Sequence, residues 1–421
     1  MERVMKFEEA LATVLEQARG LAQPTAVEVL PLLETRGRVL GRRILADRDQ
    51  PPFDRSTRDG YAVRSSDVAA GKTLLVLGLI RAGERWRGDA LGEGQAIEIM
   101  TGAPLPAGAD AVLMVEHAVL LGEELQLAQG RSLTKGDNVV PCGAEARNGD
   151  GMLPAGCVME AAEIAVAASC GAARLEVFAK PRVAIVPTGD ELVELGKVPE
   201  TWQIRNSNSY ALKALVDEAG GDGGKLAIAR DTRADLEERI AQGGMWDLLV
   251  LSGGVSMGKY DLVEEVLAAY GAEFFFTGAL IQPGKPVVFG RLPKSGVVGE
   301  PRPSPWMGEW TYFFGLPGNP VSTQVCFHLF VAPMLRALAG RTDLAPQFVE
   351  AQLAEEVKGG ARVTRFLPAE MTRAWDGVSV RIVGWQGSGD LAANARGNCY
   401  AVLPAGVAAF AAGETVRVLL R

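Results

Sequence analysis

The chain has 421 residues, of which 48% are hydrophobic and 22% charged, and its formal net charge is −8. This length predicts about two to four domains, and the composition excludes a wholly disordered chain. The acidic balance offers no electrostatic footprint for nucleic acid, and no uninterrupted apolar run approaches the roughly 18–20 residues that span a bilayer. We therefore expect neither a nucleic-acid partner nor a membrane partner.

The cysteines and histidines limit the kinds of catalytic or metal site that the chain can hold. The five cysteines are scattered without a CxxC pair, and the chain holds only two histidines. This pattern favours reduced thiols in the cytoplasm and excludes a zinc site built on several histidines. Residues 1–20 lack the apolar centre of a signal peptide, which also favours a cytoplasmic location. The chemistry is therefore expected to use carboxylates, lysines, hydroxyls, backbone amides or a hard metal ion.

The first half of the chain predicts a mixed region that is interrupted by a β-rich one. Residues 6–20 have the apolar spacing of an amphipathic helix, and residues 27–45 predict a strand followed by a helix. Short apolar runs cut by glycines between about 61 and 147 predict a β-rich unit. A further helix is expected around residues 160–170. Neither flank is large enough for a core of its own, so the β-rich unit is expected to be an insertion.

The second half alternates predicted strands and helices. Residues 182–187, 225–231 and 248–251 predict strands, and this βαβ order predicts a mostly parallel sheet with helices on both faces. Residues 292–312 are rich in proline and glycine and predict an exposed loop or hairpin insertion. The fold class is thus multi-domain α/β plus β. The expected domains are a discontinuous N-terminal domain (1–46 and 148–178), an inserted β-rich domain (47–147), a central α/β parallel-sheet domain (179–338) and a small C-terminal β domain (339–421).

Three predicted strand ends carry glycine-bearing loops. Ligands of open parallel sheets bind at the carboxyl ends of the strands, and glycine lets backbone N–H groups approach an anion. We therefore expect a phosphate-bearing or otherwise polyoxygenated ligand, although any single loop remains open to interpretation as a mere tight turn. Neither GxxxxGK[ST] nor GxGxxG is present. The candidate binding residues are Thr188, Gly189, Ser252, Gly253, Gly254, Ser256, Gly258, Pro317, Gly318, Asn319 and Pro320.

Carboxylates gather at the same strand ends, as is typical of a Mg²⁺ site beside a phosphate. The candidate ligands are Glu191, Asp231 and Asp261. The alternative for Asp231, and for the neighbouring Asp190, is that each caps a helix. Lys285 lies between glycine and proline and is a candidate to place its positive charge against a phosphate. The alternative is that it is an ordinary solvated lysine at the surface.

Together these motifs resemble the molybdopterin molybdenumtransferase family, which includes the E domain of gephyrin. The resemblance runs through PPFDRSTRDGYAV, IEIMTGAPLPAGADAV, VPTGDELVELG, IRNSNSYALKAL, LSGGVSMGKYD, QPGKPVVFG, GLPGNPVST and GSGDLAANARGNCYAVLP. It implies an enzyme that takes adenylylated molybdopterin, releases AMP and inserts molybdate to give molybdenum cofactor. It also implies a homodimer whose site lies between the α/β domain of one subunit and the inserted domain of the other. The implied further partners are the molybdopterin adenylyltransferase and recipient molybdoenzymes.

The resemblance also assigns roles to individual residues. The carboxylates of Glu191, Asp231 and Asp261 are implied to bind Mg²⁺ on the substrate phosphate and to orient a water molecule. Ser388 and Arg362 are implied to contact an oxyanion. The residues implied to be catalytic are Asp59, Thr101, Glu191, Asp231, Asp261 and Lys285.

The chain departs from the family pattern at several positions. Arg55 and Arg58 replace uncharged residues of the usual DNSAMDGYA loop, and Gln282 replaces the first lysine of KPGKP. These departures leave open a tungstate-preferring homologue and a dimeric scaffold that binds molybdopterin without turning it over. A related α/β enzyme that adenylylates molybdopterin or hydrolyses pyridine nucleotides would explain only residues 181–338.

Overall fold

The computed structural model describes residues 3–21, 24, 26–254, 262–294 and 309–421. The chain folds into two compact units. The first, here called the α/β–barrel unit, consists of Met1–Gly41, Gly156–Glu160 and Arg174–Arg421. The second, here called the β-rich unit, consists of Arg42–Ala155 and Ala161–Ala173. The finer division into four domains stays a prediction.

A six-stranded sheet organises the β-rich unit, which confirms the prediction for this region. Its strands, in spatial order, are Ala111–Met114, Gly60–Val63, Gln95–Ile99, Leu74–Ile80, Glu124–Leu127 and Ala118–Leu121. All neighbours are antiparallel except Leu74–Ile80 and Gln95–Ile99. The unit also contains the helices Ser65–Ala69 and Ala161–Ser169, the short 3₁₀ helix Val115–His117, and the strand pairs Arg55–Ser56 with Val139–Val140 and Ile44–Leu45 with Gly151–Leu153. The helix Ala161–Ser169 confirms the one expected around residues 160–170.

The N-terminal part of the α/β–barrel unit agrees only partly with the sequence prediction. The expected first helix is present as Phe7–Arg19, and the strand Val27–Pro31 pairs with Arg174–Phe178. The prediction of a helix after this strand is wrong, because only a short 3₁₀ turn, Leu32–Thr35, follows the strand. Beyond this turn the backbone bonds to a distant segment: Leu40 N–H donates to the carbonyl of Cys157 at 2.9 Å.

The predicted α/β sheet is confirmed, with helices on both faces. Its elements are β1 (Arg182–Pro187), α1 (Asn208–Glu218), β2 (Asp222–Lys225), α2 (Arg233–Gly243), β3 (Leu248–Ser252), α3 (Leu262–Ala269), β4 (Glu273–Phe276), β5 (Val288–Pro293) and β6 (Trp310–Leu316). The spatial order is β2-β1-β3-β6-β5-β4, in which the first four strands are parallel and β5 is antiparallel to both of its neighbours. Helix α1 packs on one face, and α2 and α3 pack on the other.

Two features of this sheet differ in detail from the expectation. Strand β2 begins at Asp222, earlier than the predicted segment 225–231. Strands β5 and β6 pair up to Pro293 and Trp310, so the flanks of the Pro/Gly-rich segment form a hairpin. Residues 295–308 of that segment lie outside the described residues.

A long helical rod follows β6. It consists of α4 (Pro320–Cys326), a π-helical segment (Phe327–Val331) and α5 (Ala332–Leu338). Among the described residues this stretch alone is long and apolar enough to cross a membrane, but 83% of its apolar window is buried in the protein. It therefore has the burial of a core helix.

The C-terminal residues form a closed β-barrel, which confirms the predicted β domain. Its strands are, in order around the barrel, Thr364–Ala374, Gly377–Ile382, Phe348–Leu353, Thr415–Leu420 and Cys399–Leu403, and the last pairs back with the first. A short strand, Ile281–Gln282, extends from the α/β region and pairs in parallel with Thr364–Ala374. The helix Leu391–Arg396 precedes the strand Cys399–Leu403. The remaining strand pairs are Val4–Met5 with Gly278–Ala279, Leu192–Val193 with Ile204–Arg205, and Val357–Lys358 with Ala409–Phe410.

Candidate functional site

A cavity of about 600 Å³ lies at the carboxyl ends of β1, β3 and β6. This volume is within the range of small-molecule sites, and the position is the one at which open parallel sheets bind ligands. Many of the candidates predicted from the sequence line it. These are Thr188, Glu191, Ser252, Gly253, Gly254, Pro317, Gly318, Asn319 and Pro320.

The glycine turn after β3 ties the three strand ends together. Gly253 N–H donates to the carbonyl of Leu316 at 3.1 Å, and Thr188 N–H donates to that of Ser252 at 2.9 Å. Gly253 has a φ of +99°, and a Cβ placed on it would lie 2.4 Å from the carbonyl oxygen of Thr188. Only glycine therefore fits this turn, which brings the backbone to the edge of the cavity.

Asn208 is a site residue that the sequence reasoning missed. Its Nδ2 lies 3.1 Å from Ser252 Oγ and 2.7 Å from the carbonyl oxygen of Gly318, so one amide bridges the loops after β3 and β6. It stands in the motif IRNSNSY, which was noted for the resemblance but not for a binding role. The other cavity-lining residues that were missed are Leu192, Ile204, Arg205, Asn206, Ser207, Pro286, Gly389 and Leu391.

The electrostatics of the cavity favour an anionic group. Helix α1 and the helical rod both begin at it, since Asn208 and Pro320 line the cavity. A helix start carries a partial positive charge, which stabilises phosphate. Glu191 adds one exposed carboxylate to the lining. The arrangement suits a ligand that presents phosphate to the helix starts and a polar group to Glu191.

Several predicted residues do not line this cavity. Lys285 is exposed, and its neighbour Pro286 is the one that reaches the lining. The loop that carries Lys285 is fixed to α4, because the Cys326 thiol lies 3.5 Å from the carbonyl oxygen of Gly284. The other predicted residues outside the lining are Gly189, Asp231, Ser388 and Arg362.

The helix-cap alternatives for the two aspartates are wrong. Helix α2 is capped by Thr232, whose hydroxyl accepts a hydrogen bond from Asp235 N–H at 3.3 Å. Asp190 is not at a helix start; its carboxylate accepts from Asp231 N–H at 3.3 Å. Asp190 and Asp231 are therefore neighbours at the rim of the sheet, and both are exposed.

The predicted magnesium ligands are not assembled by the described residues alone. Within residues 3–254, 262–294 and 309–421, as far as they are described, no group of three or more His, Cys, Asp or Glu is placed to hold a metal ion. Glu191 lines the cavity and Asp231 does not. Asp261, Ser256 and Gly258 lie outside the described residues.

Asp59 and Thr101 form a hydrogen-bonded pair in the β-rich unit. Asp59 Oδ1 accepts from the backbone N–H of Thr101 at 2.7 Å and from its hydroxyl at 2.8 Å. These bonds, the backbone one first, hold the pKa of Asp59 below its usual range. The following Gly60 is required by packing, since a Cβ there would lie 2.1 Å from the carbonyl oxygen of Leu113. The strand therefore presents an ionised carboxylate at a fixed position.

Comparison with family models covers most of the chain in three parts. Residues 5–171 match the "MoeA N-terminal region (domain I and II)", residues 184–337 the "Probable molybdopterin binding domain", and residues 350–420 the "MoeA C-terminal region (domain IV)". The first match spans parts of both units, and the second and third matches lie in the α/β–barrel unit.

Whole-chain comparisons agree with the family models. The molybdopterin molybdenumtransferase of Haemophilus influenzae is 33% identical over 422 residues, covering 99% of this chain and 98% of its own. That of Staphylococcus aureus strain Mu50 is 32% identical, with 98% and 94% covered. A crystal structure of the molybdopterin biosynthesis protein moeA from Pyrococcus horikoshii superposes with a TM-score of 0.73 at 30% identity, covering 99% of both chains.

Proposed function

Since the chain belongs to the molybdopterin molybdenumtransferase family, we propose that it releases AMP from adenylylated molybdopterin and inserts molybdate to give molybdenum cofactor. The observation that carries this proposal is the cavity of about 600 Å³ at the strand ends. Two helix starts and a glycine turn there suit a phosphate, and the remaining volume suits a fused ring.

The cavity residues have defined tasks in this reaction. Release of AMP breaks the P–O bond between the two phosphates, and water supplies the oxygen that completes the second phosphate. The partial positive charges at the starts of α1 and α4 would stabilise the charge that develops on the phosphate oxygens. Glu191, at the cavity wall, would orient the water and accept its proton.

Magnesium belongs to this proposal through Asp261 together with Glu191. A bound Mg²⁺ would neutralise phosphate charge. We expect AMP release to cease in EDTA and to return on titration with Mg²⁺, and Asp261→Asn to shift that titration to higher concentration. Glu238→Gln, on the exposed side of α2, is the matched control. AMP release that persists in EDTA would contradict the role of the metal.

We further propose a cytoplasmic homodimer. The five cysteines are free, which suits a reducing compartment. The dimer follows from the resemblance, which implies that each site draws on both subunits. Mixing Asp59→Asn with Glu191→Gln protein, each of which alone keeps only a small part of the wild-type AMP release, is then expected to raise the activity above that of either variant through mixed dimers. A monomer by sedimentation, or no recovery on mixing, would overturn the shared site.

The direct test measures AMP release and molybdenum incorporation by the full chain. Wild-type protein is expected to turn over, Glu191→Gln to lose most of the AMP release, and Glu238→Gln to behave as wild type. A wild-type protein that binds molybdopterin but releases no AMP would contradict the proposal and identify the chain as a scaffold. Faster turnover with tungstate than with molybdate would identify a tungstate-preferring enzyme.

A further inference from the structure

The helix Leu391–Arg396 is joined to the helical rod by a part-buried pair of amides. Asn394 is 3% exposed, and its Nδ2 donates to Gln324 Oε1 at 2.9 Å. Its Oδ1 accepts from the Arg421 guanidinium at 2.6 Å. Because arginine can only donate, Oδ1 must face Arg421, which leaves Nδ2 for Gln324. We refer to Asn394 and Gln324 as the amide clamp.

Both elements joined by the amide clamp carry walls of the cavity. Gln324 lies on α4, whose start brings Asn319 and Pro320 into the lining. Asn394 lies one turn after Leu391, which with Gly389 forms the lining on the barrel side. The distance between these two walls therefore depends on how the two helices are held together.

A backbone hydrogen bond also joins the two walls directly, and a helix cap orders the barrel-side wall. The carbonyl of Ser388 accepts from Val321 N–H at 2.9 Å, and Asp390 caps its own helix by accepting from Ala393 N–H at 2.9 Å. A displacement of Asn394 is thus passed through one short helix to residues 388–391.

Arg421 anchors the other side of the clamp within the barrel. It donates to the carbonyl of Gly397 at 2.9 Å and to that of Asn394 at 2.8 Å. Its guanidinium carbon lies 4.6 Å from the centre of the buried Tyr400 ring. These contacts use the planar, forked geometry of arginine, so Asn394 is held from both ends.

We propose that Asn394 is a positioning residue that sets the affinity of the cavity for its ligand by fixing the wall of residues 388–391 against the start of α4. This inference rests on the proposed function for the identity of the ligand. Asn394 contacts Gln324 and Arg421 and does not line the cavity, so we expect it to act on binding and to leave the chemical step unchanged.

The test uses full-length Asn394→Ala, Gln324→Ala and the double variant, with Asn398→Ala as the control. Asn398 is a neighbouring asparagine whose amide pairs with the backbone of Met371 and which does not line the cavity. The first readout is amide hydrogen exchange of residues 386–396 and 317–324 without ligand. The second is the dissociation constant for molybdopterin, and the third is KM and kcat for AMP release.

We expect Asn394→Ala to speed exchange in both segments, to weaken molybdopterin binding and raise KM about tenfold, and to leave kcat within about twofold. Gln324→Ala removes the amide clamp but keeps every contact of Arg421. It therefore tests the inference in place of Asn394→Ala if that variant does not fold. The double variant should be no weaker than the worse single variant, because both remove the same bond.

Three results would overturn the inference: an unchanged KM, a fall in kcat equal to the rise in KM, or effects matched by Asn398→Ala. The last two would mean general destabilisation. Failure of the proposed function is a separate result, namely a wild-type protein that binds no molybdopterin. In that case the exchange rates still decide whether the clamp fixes the wall.

Discussion

The strand-end cavity and the Asp59–Thr101 pair hold their polar groups in opposite ways. In the cavity the backbone sets the geometry, through the left-handed turn at Gly253 and its bond to the carbonyl of Leu316. At the pair, one exposed carboxylate is held by two hydrogen bonds from a single residue. An added side-chain atom at Gly253 should therefore disturb both the fold and the activity. At the Asp59–Thr101 pair, loss of the carboxylate charge should lower the activity and leave the fold almost unchanged.

The largest effect is expected for Gly253→Ala. The added Cβ would meet the carbonyl oxygen of Thr188 at 2.4 Å, and the left-handed backbone alone costs a side chain roughly 1–2 kcal/mol. The turn must move, and a displacement of about 1 Å near a reaction centre lowers the rate about 100-fold. AMP release and the unfolding midpoint should both fall.

Gly196→Ala is the matched control for this substitution, because a Cβ there meets open space. A Gly253→Ala protein with wild-type activity and stability would show that the turn has room to adjust, and the contrast between the two regions would fail.

A smaller effect is expected for Asp59→Asn, which keeps the size of the side chain and removes its charge. We expect AMP release to fall about tenfold, equivalent to about 1.4 kcal/mol of transition-state stabilisation. The unfolding midpoint should hardly change, because the side chain is exposed. The exposed Asp89 of the same unit provides the control Asp89→Asn. A large loss of stability in Asp59→Asn would contradict the assignment of this carboxylate to function.

The rod beneath the cavity should show its own pH dependence. Burial, with the charges of Arg421 and Arg336, lowers the pKa of His328 from 6.5 to about 4. Between these two pH values His328 is protonated in the unfolded state but not in the folded state. The free energy of unfolding therefore falls as pH drops from 6.5 towards 4, by about 3 kcal/mol in total. Urea unfolding at pH 7.5 and 4.5 should show a smaller difference for His328→Gln. An equal difference in variant and wild type would contradict a part-buried imidazole that stays neutral in the folded state.

The smallest effect is expected for Thr101→Val, which removes the hydroxyl and keeps the backbone donor. The pKa of Asp59 should rise but stay below its usual value, because the backbone bond is the larger cause of its lowering. A carboxyl group whose pKa is lower in the folded state stabilises the fold above its unfolded pKa, and this stabilisation is lost as the pH falls through the folded pKa. The variant should therefore lose part of that small contribution. A carbon NMR titration of Asp59 measures the shift, and a lowered pKa would contradict the hydroxyl bond.

The α/β sheet was predictable because its strands are continuous apolar runs, as in Leu248–Ser252. Strand β2 was misplaced because its sequence, DGGK, has poor strand propensity. The structure supplies the reason: a Cβ on Gly224 would lie 2.1 Å from the Trp246 ring, so packing requires the glycine. The prediction of a helix after Val27–Pro31 also failed for a reason that lies outside the local sequence. The backbone of this segment bonds to partners more than 100 residues later in the chain.

The candidate site was predictable where it consists of strand-end loops, and less so where it depends on packing between distant segments. Thr188, Ser252 and Pro317 follow directly from the positions of strands. Leu391 and Gly389 reach the cavity only because the barrel packs on the rod, which no local pattern encodes. The roles of the predicted residues stay predictions until the variants above are measured.

The rod from Pro320 to Leu338 also affects how the chain is made. Phe327 and Phe330 share a buried cluster with Phe366 and Tyr400, which the ribosome adds later. When residue 338 has left the ribosome, the emerged chain therefore exposes a helix that is long and apolar enough to cross a bilayer. Some of the residues that bury this helix in the finished protein have not yet emerged. A fragment ending before the barrel should accordingly be captured by chaperones or aggregate, and the completed polypeptide should not.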